Sequence, residues 1–299
     1  MTDANAIPRP ALPPAPTLSL VMATLDRTDQ IARLFESLSR QTVTDFEVIV
    51  VDQNDDDRLV PILEGDWPFP VRRLHTPGER GASRARNRGW RISRGDILLF
   101  PDDDCWYPAD FLERALAIMR RQGCDLLSGR PADEGGRTIN GRFETTALPI
   151  DRITAWTTAI EWIVFFRRTV LEAIDGFDDD IGIGAATPWQ SSEIQDIIIR
   201  AIEAGFACWY DPAVVGHHEE IVLGYPDARV LRKARGYARG MGFVLRLHGY
   251  SIPVQGHWVI RPLAGSMVSL LRGRWRMAAY YGQVALGRVE GALRRTLQP

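Results

Sequence analysis

Cysteine is scarce in this 299-residue chain: Cys105, Cys124 and Cys208 are widely scattered and form no CxxC pair. A disulfide-stapled secreted domain is thereby excluded, and a reducing compartment is expected. Long apolar runs are also missing, since no window offers the roughly 18 uninterrupted apolar residues that a membrane span needs. Val259 to Leu271 comes nearest, but it contains Arg261 and Pro262. The N-terminus lacks a basic start followed by an apolar run, so residues 1–16 read as a Pro/Ala-rich disordered leader rather than a secretory signal. Acids are scarce in one region only. From Arg229 to Pro299 there are 13 lysines and arginines against a single acid, Glu290, a balance of +12. Because the whole chain carries a formal −2, the other 228 residues carry −14. An acidic body with a basic tail points to an anionic surface as the tail's partner. Nucleic acid is not expected as a partner, because the tail lacks a recognisable reading module and the body would repel phosphate.

With 45% hydrophobic and 25% charged residues, the chain can build one large α/β core plus an appendage. Leu18 to Ala23 and Phe46 to Asp52 are short apolar runs that read as buried parallel strands. Between them, Thr28 suits the N-cap of a helix with Ile31, Leu34, Phe35 and Leu38 at helical spacing. The pattern continues with a strand at Val71 to His75, a helix at Ala82 to Ile92 and a strand at Asp96 to Phe100. A helix at Ala109 to Gln122, strands at Asp125 to Gly129 and Trp162 to Arg167, a loop at Gly176 to Gln190, a helix from Ser192 and a strand at Ala207 to Gly216 follow. Alternating strands and helices predict a doubly wound sheet, with its ligand site off the strands' carboxyl ends.

Asp102-Asp103-Asp104 lies at such an end. Carboxylates at i and i+2 can point to one side, and hard oxygen donors suit Mg²⁺ or Mn²⁺. An acidic turn capping the next helix would use the same residues.

The stretch from Leu18 to Tyr107 resembles the large family 2 of inverting glycosyltransferases. The matching pieces are Ser19-Leu-Val-Met-Ala-Thr-Leu-Asp-Arg27, Phe46-Glu-Val-Ile-Val-Val-Asp-Gln-Asn54, Ala85-Arg-Asn-Arg-Gly89 and Gly95-Asp-Ile-Leu-Leu-Phe-Pro-Asp-Asp-Asp104. The resemblance implies the glycosyltransferase A fold: a Rossmann-like, mostly parallel sheet flanked by helices. Residues 17–108 are then the nucleotide-binding half, 109–224 the acceptor half, and 225–299 a basic, mainly helical extension. It also implies that Thr24, Asp26, Asp52, Arg86, Asn87, Asp102 and Asp103 contact the donor, and that Asp102 and Asp104 hold the metal on its diphosphate. Gln53-Asn54 stand where many members have an acid and a glycine.

The family's catalytic base comes from an acid pair followed by a second acid and an arginine. Here Glu193, Asp196 and Arg200 are kept, but Ile194 replaces the second member of the pair. Ser192 and Gln195 fit a capping box that would place Glu193 in the first helical turn. Glu193 is the favoured base and Asp196 the reserve, with helix stabilisation and an ion pair to Arg200 as the other uses of these acids. His217 is a candidate third metal ligand, or a structural histidine. Trp189 is a candidate platform for an acceptor sugar, or a packing residue. The expected activity is inverting transfer from a UDP-sugar or dTDP-sugar to a saccharide or lipid-linked acceptor in cell-surface polysaccharide or glycolipid synthesis. A non-catalytic nucleotide-sugar binding protein is the alternative. The expected place is the cytoplasm, peripherally on the inner face of the cell membrane if the tail's interleaved apolar and basic residues lie on anionic lipid. Packing on the body, or a homodimer contact, is the other use of that tail.

Overall fold

The computed structural model describes residues 14–221 and 224–297; most of the expected leader, residues 1–13, lies outside them. The first half runs β1 (Leu18–Thr24), α1 (Asp29–Ser39), β2 (Phe46–Asp52), α2 (Val60–Leu63), β3 (Val71–His75), α3 (Ala82–Ile92) and β4 (Ile97–Leu99). The second half runs β5 (Cys105–Trp106), α4 (Phe111–Gln122), β6 (Leu126–Ala132), β7 (Leu148–Pro149), β8 (Val164–Arg167), α5 (Arg168–Ile174), α6 (Glu193–Glu203) and β9 (Cys208–His218). Three long helices close the chain: α7 (Ala228–Leu247), α8 (Ile252–Leu271) and α9 (Trp275–Leu293).

The described strands form one sheet in the order β3-β2-β1-β4-β8-β6-β9-β5, with β7 on β9. β3, β2, β1 and β4 are parallel, and β8 enters antiparallel between β4 and β6. β1 and β2 are apolar almost without alternation because helices cover both of their faces. On one face α1 buries Ile31, Leu34, Phe35 and Leu38, the four positions its periodicity singles out. On the other, α3 lies so close to the sheet that a Cβ on Gly89 would sit 2.3 Å from Val21 Cγ1. Only glycine permits that approach.

Two local expectations are corrected. Thr28 stands at the start of α1, but its hydroxyl bonds Asp29 at 3.3 Å and caps no backbone amide. Ser192 precedes α6 with φ of 73° and makes no side-chain cap, so the capping box does not form. The residue before it packs on α7: Ser191 Oγ donates to Tyr237 O at 2.6 Å, and a Cβ on Gly240 would lie 2.2 Å from Ser191 O.

The basic tail is therefore built into the body. α9 packs on α7 through Gly287 and Gly291, where a Cβ would lie 2.4 Å from Arg235 O and 2.1 Å from Arg239 O respectively. Glu290, the tail's sole acid, is fully buried there and accepts from Arg235 Nε and Arg239 Nε at 2.9 and 2.5 Å. Burial alone would raise its carboxyl, yet the two arginines outweigh this and hold it at about 2. Val244, Leu245 and Tyr250 join Ile181 and Ile199 in a small core between tail and body.

Candidate active site

The carboxyl ends of β1, β2 and β4 converge on the acidic triplet. Thr24, the last residue of β1, donates from Oγ1 to Asp103 Oδ2 at 2.7 Å. Asp26 sits at φ of 61°, a left-handed geometry that aspartate tolerates, and its amide donates to Asn54 Oδ1 at 2.8 Å. Its side chain is exposed beside Arg58. Asp52, at the end of β2, is wholly buried. One of its oxygens accepts from Asn54 at 2.7 Å and the other from Arg73 at 2.7 and 2.8 Å, so the chain itself already engages both.

Arg86 is the hub of the site. It lies on the buried face of α3, where Nη2 donates to Asp102 Oδ1 at 3.1 Å and Nη1 to Glu193 Oε1 at 3.3 Å. One guanidinium thus ties the triplet that follows β4 to the start of α6. Glu193 is 2% exposed, and its Oε2 has no hydrogen-bond partner; nor has Arg86 Nε. Gly182, at φ of +118°, presses on this carboxylate: a Cβ there would lie 3.0 Å from Glu193 Cδ.

Asp196 is placed differently. Oδ2 accepts from Arg200 Nε at 2.9 Å and Oδ1 from His248 Nε2 at 2.8 Å, which joins α6 to the end of α7. Ile194 is buried in the core beneath the sheet, so Glu193 is the member of the acid pair position that reaches Arg86. Asn87 ties α3 to the following loop, donating to Phe177 O and Asp179 Oδ1 and accepting from Trp90 and the Phe177 amide. Trp189 stacks on Phe243 of α7 with ring centroids 4.5 Å apart.

The triplet carries strong fields. Loss of hydration pushes Asp102 above its ordinary value against the pull of Arg86, with Asp104 adding to the push. Burial lifts Asp103 to about 6, against its bond from Thr24. Burial works the same way on Asp104, but His218 and Arg27 overcome it and lower the carboxyl. Glu161, half-buried just before β8, is raised to about 8 by burial and then by the Glu193 and Asp102 charges. So much carboxylate at one cleft is the signature of a functional site.

The imidazole that faces the triplet is that of His218, with Nε2 3.0 Å from Asp104 Oδ1. His217 turns the other way and donates from Nδ1 to Ala132 O at 2.9 Å. Successive residues on a strand face opposite sides, so only one of the two can point to the triplet. His218 Nδ1 also lies 2.7 Å from a carbonyl, Glu219 O, and its imidazole is raised from its ordinary value, first by the Asp104 bond.

Asp102 and Asp104 supply hard oxygen donors that match Mg²⁺ or Mn²⁺. Among the described residues no group of three or more His, Cys, Asp or Glu side chains is placed to hold a metal ion. An open set of two carboxylates is what these cations use when substrate phosphates complete the shell, so the residues fit the ion. Arg27, 2.8 Å from Asp104, was not singled out by sequence, although it closes the first matching motif, and His218 entered only as the neighbour that made the choice of His217 ambiguous. Tyr237 on α7 also reaches the cleft: burial, then the charges of Glu193 and Glu161, raise its phenol to about 12.

The profile described as Glycosyl transferase family 2 matches residues 19–175. The chain belongs to glycosyltransferase family 2. Among its relatives, an uncharacterized glycosyltransferase of Haemophilus influenzae is 36% identical over 141 residues, covering 46% of this chain and 47% of the relative. The family 2 chain thus matches about half the length of that protein. A PGL/p-HBAD biosynthesis glycosyltransferase of Mycobacterium bovis BCG is 28% identical over 213 residues, or 70% of this chain and 76% of the relative. Among solved structures, the mannosyltransferase PcManGT from Pyrobaculum calidifontis, in complex with GDP-Man and Mn²⁺, superposes with a TM-score of 0.62 at 16% identity, covering 94% of this chain and 88% of that one. That likeness establishes the glycosyltransferase A fold.

Proposed function

We propose that this family 2 member transfers a sugar, with inversion, from a nucleotide-diphosphate sugar to an acceptor hydroxyl. The observation that carries the reading is Glu193: a buried carboxylate, gripped by Arg86 through one oxygen and left open at the other, beside the triplet at the end of β4. The acceptor hydroxyl attacks the anomeric carbon from the face opposite the leaving group, and Glu193 Oε2 takes its proton. Arg86 couples the two halves of the reaction, because the guanidinium that orients Glu193 also contacts Asp102. Thr24 and Arg27 hold Asp103 and Asp104 in place. Mg²⁺ or Mn²⁺ held by Asp102 and Asp104, with His218 beside them, would supply charge neutralisation to the departing nucleoside diphosphate.

The donor class is a UDP-sugar or dTDP-sugar carrying a hexose or rhamnose, and the acceptor a saccharide or lipid-linked saccharide of cell-surface polysaccharide or glycolipid synthesis. The GDP-Man and Mn²⁺ bound by PcManGT, and the PGL/p-HBAD role of the mycobacterial relative, support donor chemistry and acceptor class respectively.

A panel of nucleotide sugars screened by thermal shift with Mn²⁺ present identifies the donor, because a ligand that binds only the folded state raises its melting point. Turnover of that donor is then expected to fall on the order of 10³-fold in Asp104→Asn, the loss of several kcal/mol of charge stabilisation. Near-normal turnover in Asp104→Asn contradicts the metal assignment. Donor binding without any turnover, over a broad range of acceptors, would make the chain a nucleotide-sugar binding protein instead.

A further inference from the structure

The second half of helix α8 is inside out. Beyond Val254 and Trp258, which pack against the small core between tail and body, its inward positions are small or hydroxylic: Pro262 and Ser269 are its buried residues, Ser266 Oγ donates to Ala278 O at 2.9 Å, and Gly265 lies against Tyr281. Its large aliphatic side chains point to solvent instead. Ile260 is 64% exposed, Leu263 49%, Met267 59%, Leu270 54% and Leu271 82%. These positions recur at helical spacing and form one stripe, continued by Trp275, 64% exposed, across the turn into α9. Water does not select such a helix; an apolar medium does.

The charges around the stripe are all of one sign. α8 contains no acid, Arg261 lies on it, and Arg272 and Arg274 are exposed just beyond its end. The one acid of the tail, Glu290, is sealed between Arg235 and Arg239 and presents nothing to the surface. Arg276 lies over the Trp275 ring at 4.9 Å and the Tyr225 ring at 5.3 Å, the pairing of aromatic and cation found at membrane interfaces. No helix among the described residues is long and apolar enough to cross a bilayer. The stripe is thus suited to lie on a membrane rather than to span one.

We propose that the outer face of α8, with the α8–α9 turn, docks on an anionic lipid surface, the aliphatic side chains entering the acyl boundary and the arginines meeting lipid phosphates. The charge pattern selects lipid over a second copy of the chain: two such faces would bring the same unopposed arginines together. The inference stands whatever reaction the cleft performs.

Sedimentation with vesicles tests it on the full chain. Phosphatidylglycerol vesicles at low salt are expected to carry the protein down, and phosphatidylcholine vesicles to leave most of it in solution. A variant combining Leu263→Glu, Met267→Glu and Leu271→Glu changes only exposed positions, so its melting point should match wild type while partition to phosphatidylglycerol falls at least tenfold. Combined Arg272→Gln and Arg274→Gln should weaken binding and flatten its salt dependence. The proposal is overturned if the wild-type chain stays in the supernatant with anionic vesicles, or if the triple variant binds as well as wild type. It is equally overturned if the wild type forms a dimer that the triple variant dissociates while neither binds vesicles.

Discussion

The cleft and the tail interface both bury carboxylates beside arginines, and they treat them in opposite ways. Where α7 and α9 meet, Glu290 accepts at both oxygens from Arg235 and Arg239. Where α6 meets the end of α7, Asp196 accepts at both oxygens from Arg200 and His248. At the cleft, Glu193 meets Arg86 through one oxygen, with Glu193 Oε2 and Arg86 Nε left bare. A buried polar atom without a partner costs about 1–3 kcal/mol. Glu47 Oε2, Trp209 Nε1 and Arg288 Nε are also bare, so what sets Glu193 apart is its place beside the acidic triplet: the closed pairs brace the fold, and the open carboxylate at the cleft is where we place the substrate. Asp196 and Glu193 stand three residues apart on one helix, and the contrast assigns them to different tasks.

Breaking a closed pair should affect stability before chemistry. Asp196→Asn is expected to lower unfolding free energy by about 3–5 kcal/mol, the cost of leaving His248 and Arg200 without their charge. A urea midpoint checks this. Unchanged stability with abolished turnover would move Asp196 into the catalytic machinery.

The Glu290 pair gives a pH signature. Its carboxyl is depressed from 4.5 to about 2 in the fold, so its stabilisation is complete above about 4.5 and is lost as the pH falls toward 2. The stability gap between wild type and Glu290→Gln should therefore be widest near neutrality, about 2–3 kcal/mol, and close through that window. A gap that is flat from pH 5 to 2 would contradict the reading.

Glu161 runs the other way. Raised from 4.5 to about 8, it keeps in the fold a proton that the unfolded chain releases, so it costs stability increasingly as the pH rises from 4.5 to 8. Glu161→Gln mimics the protonated form. It should melt above wild type at pH 8 and level with it near pH 4.5. A lower melting point at pH 8 would show that Glu161 is charged in the fold.

These contrasts were only partly legible in the chain. β1, β2 and β4 could be read because strands covered on both faces are continuous apolar runs, and Arg86 because it lies in the Ala-Arg-Asn piece that resembles the family. The two-residue strands β5 and β7 carry too little pattern to read, and the antiparallel entry of β8 leaves no mark on its composition. That hidden pairing decides the histidine: β5 sets Cys105 opposite His218 and Trp106 opposite His217, fixing which ring faces the triplet. Ser192 looked like a cap, yet its backbone is left-handed and its side chain caps nothing, while its neighbour Ser191 is bonded to α7. The interleaving of apolar and basic residues in α8 was visible, but not which stripe faced inward, since a period locates a face and not its neighbour.

The central claim is that Glu193 is the base and Asp196 a brace, and it is tested most directly by single-turnover transfer measured beside donor affinity in Glu193→Gln. Transfer should fall about 10²–10⁴-fold, while the donor dissociation constant stays within roughly threefold of wild type and the fold is unchanged. Retention of near-normal transfer by Glu193→Gln, with loss confined to Asp196→Asn, would contradict it.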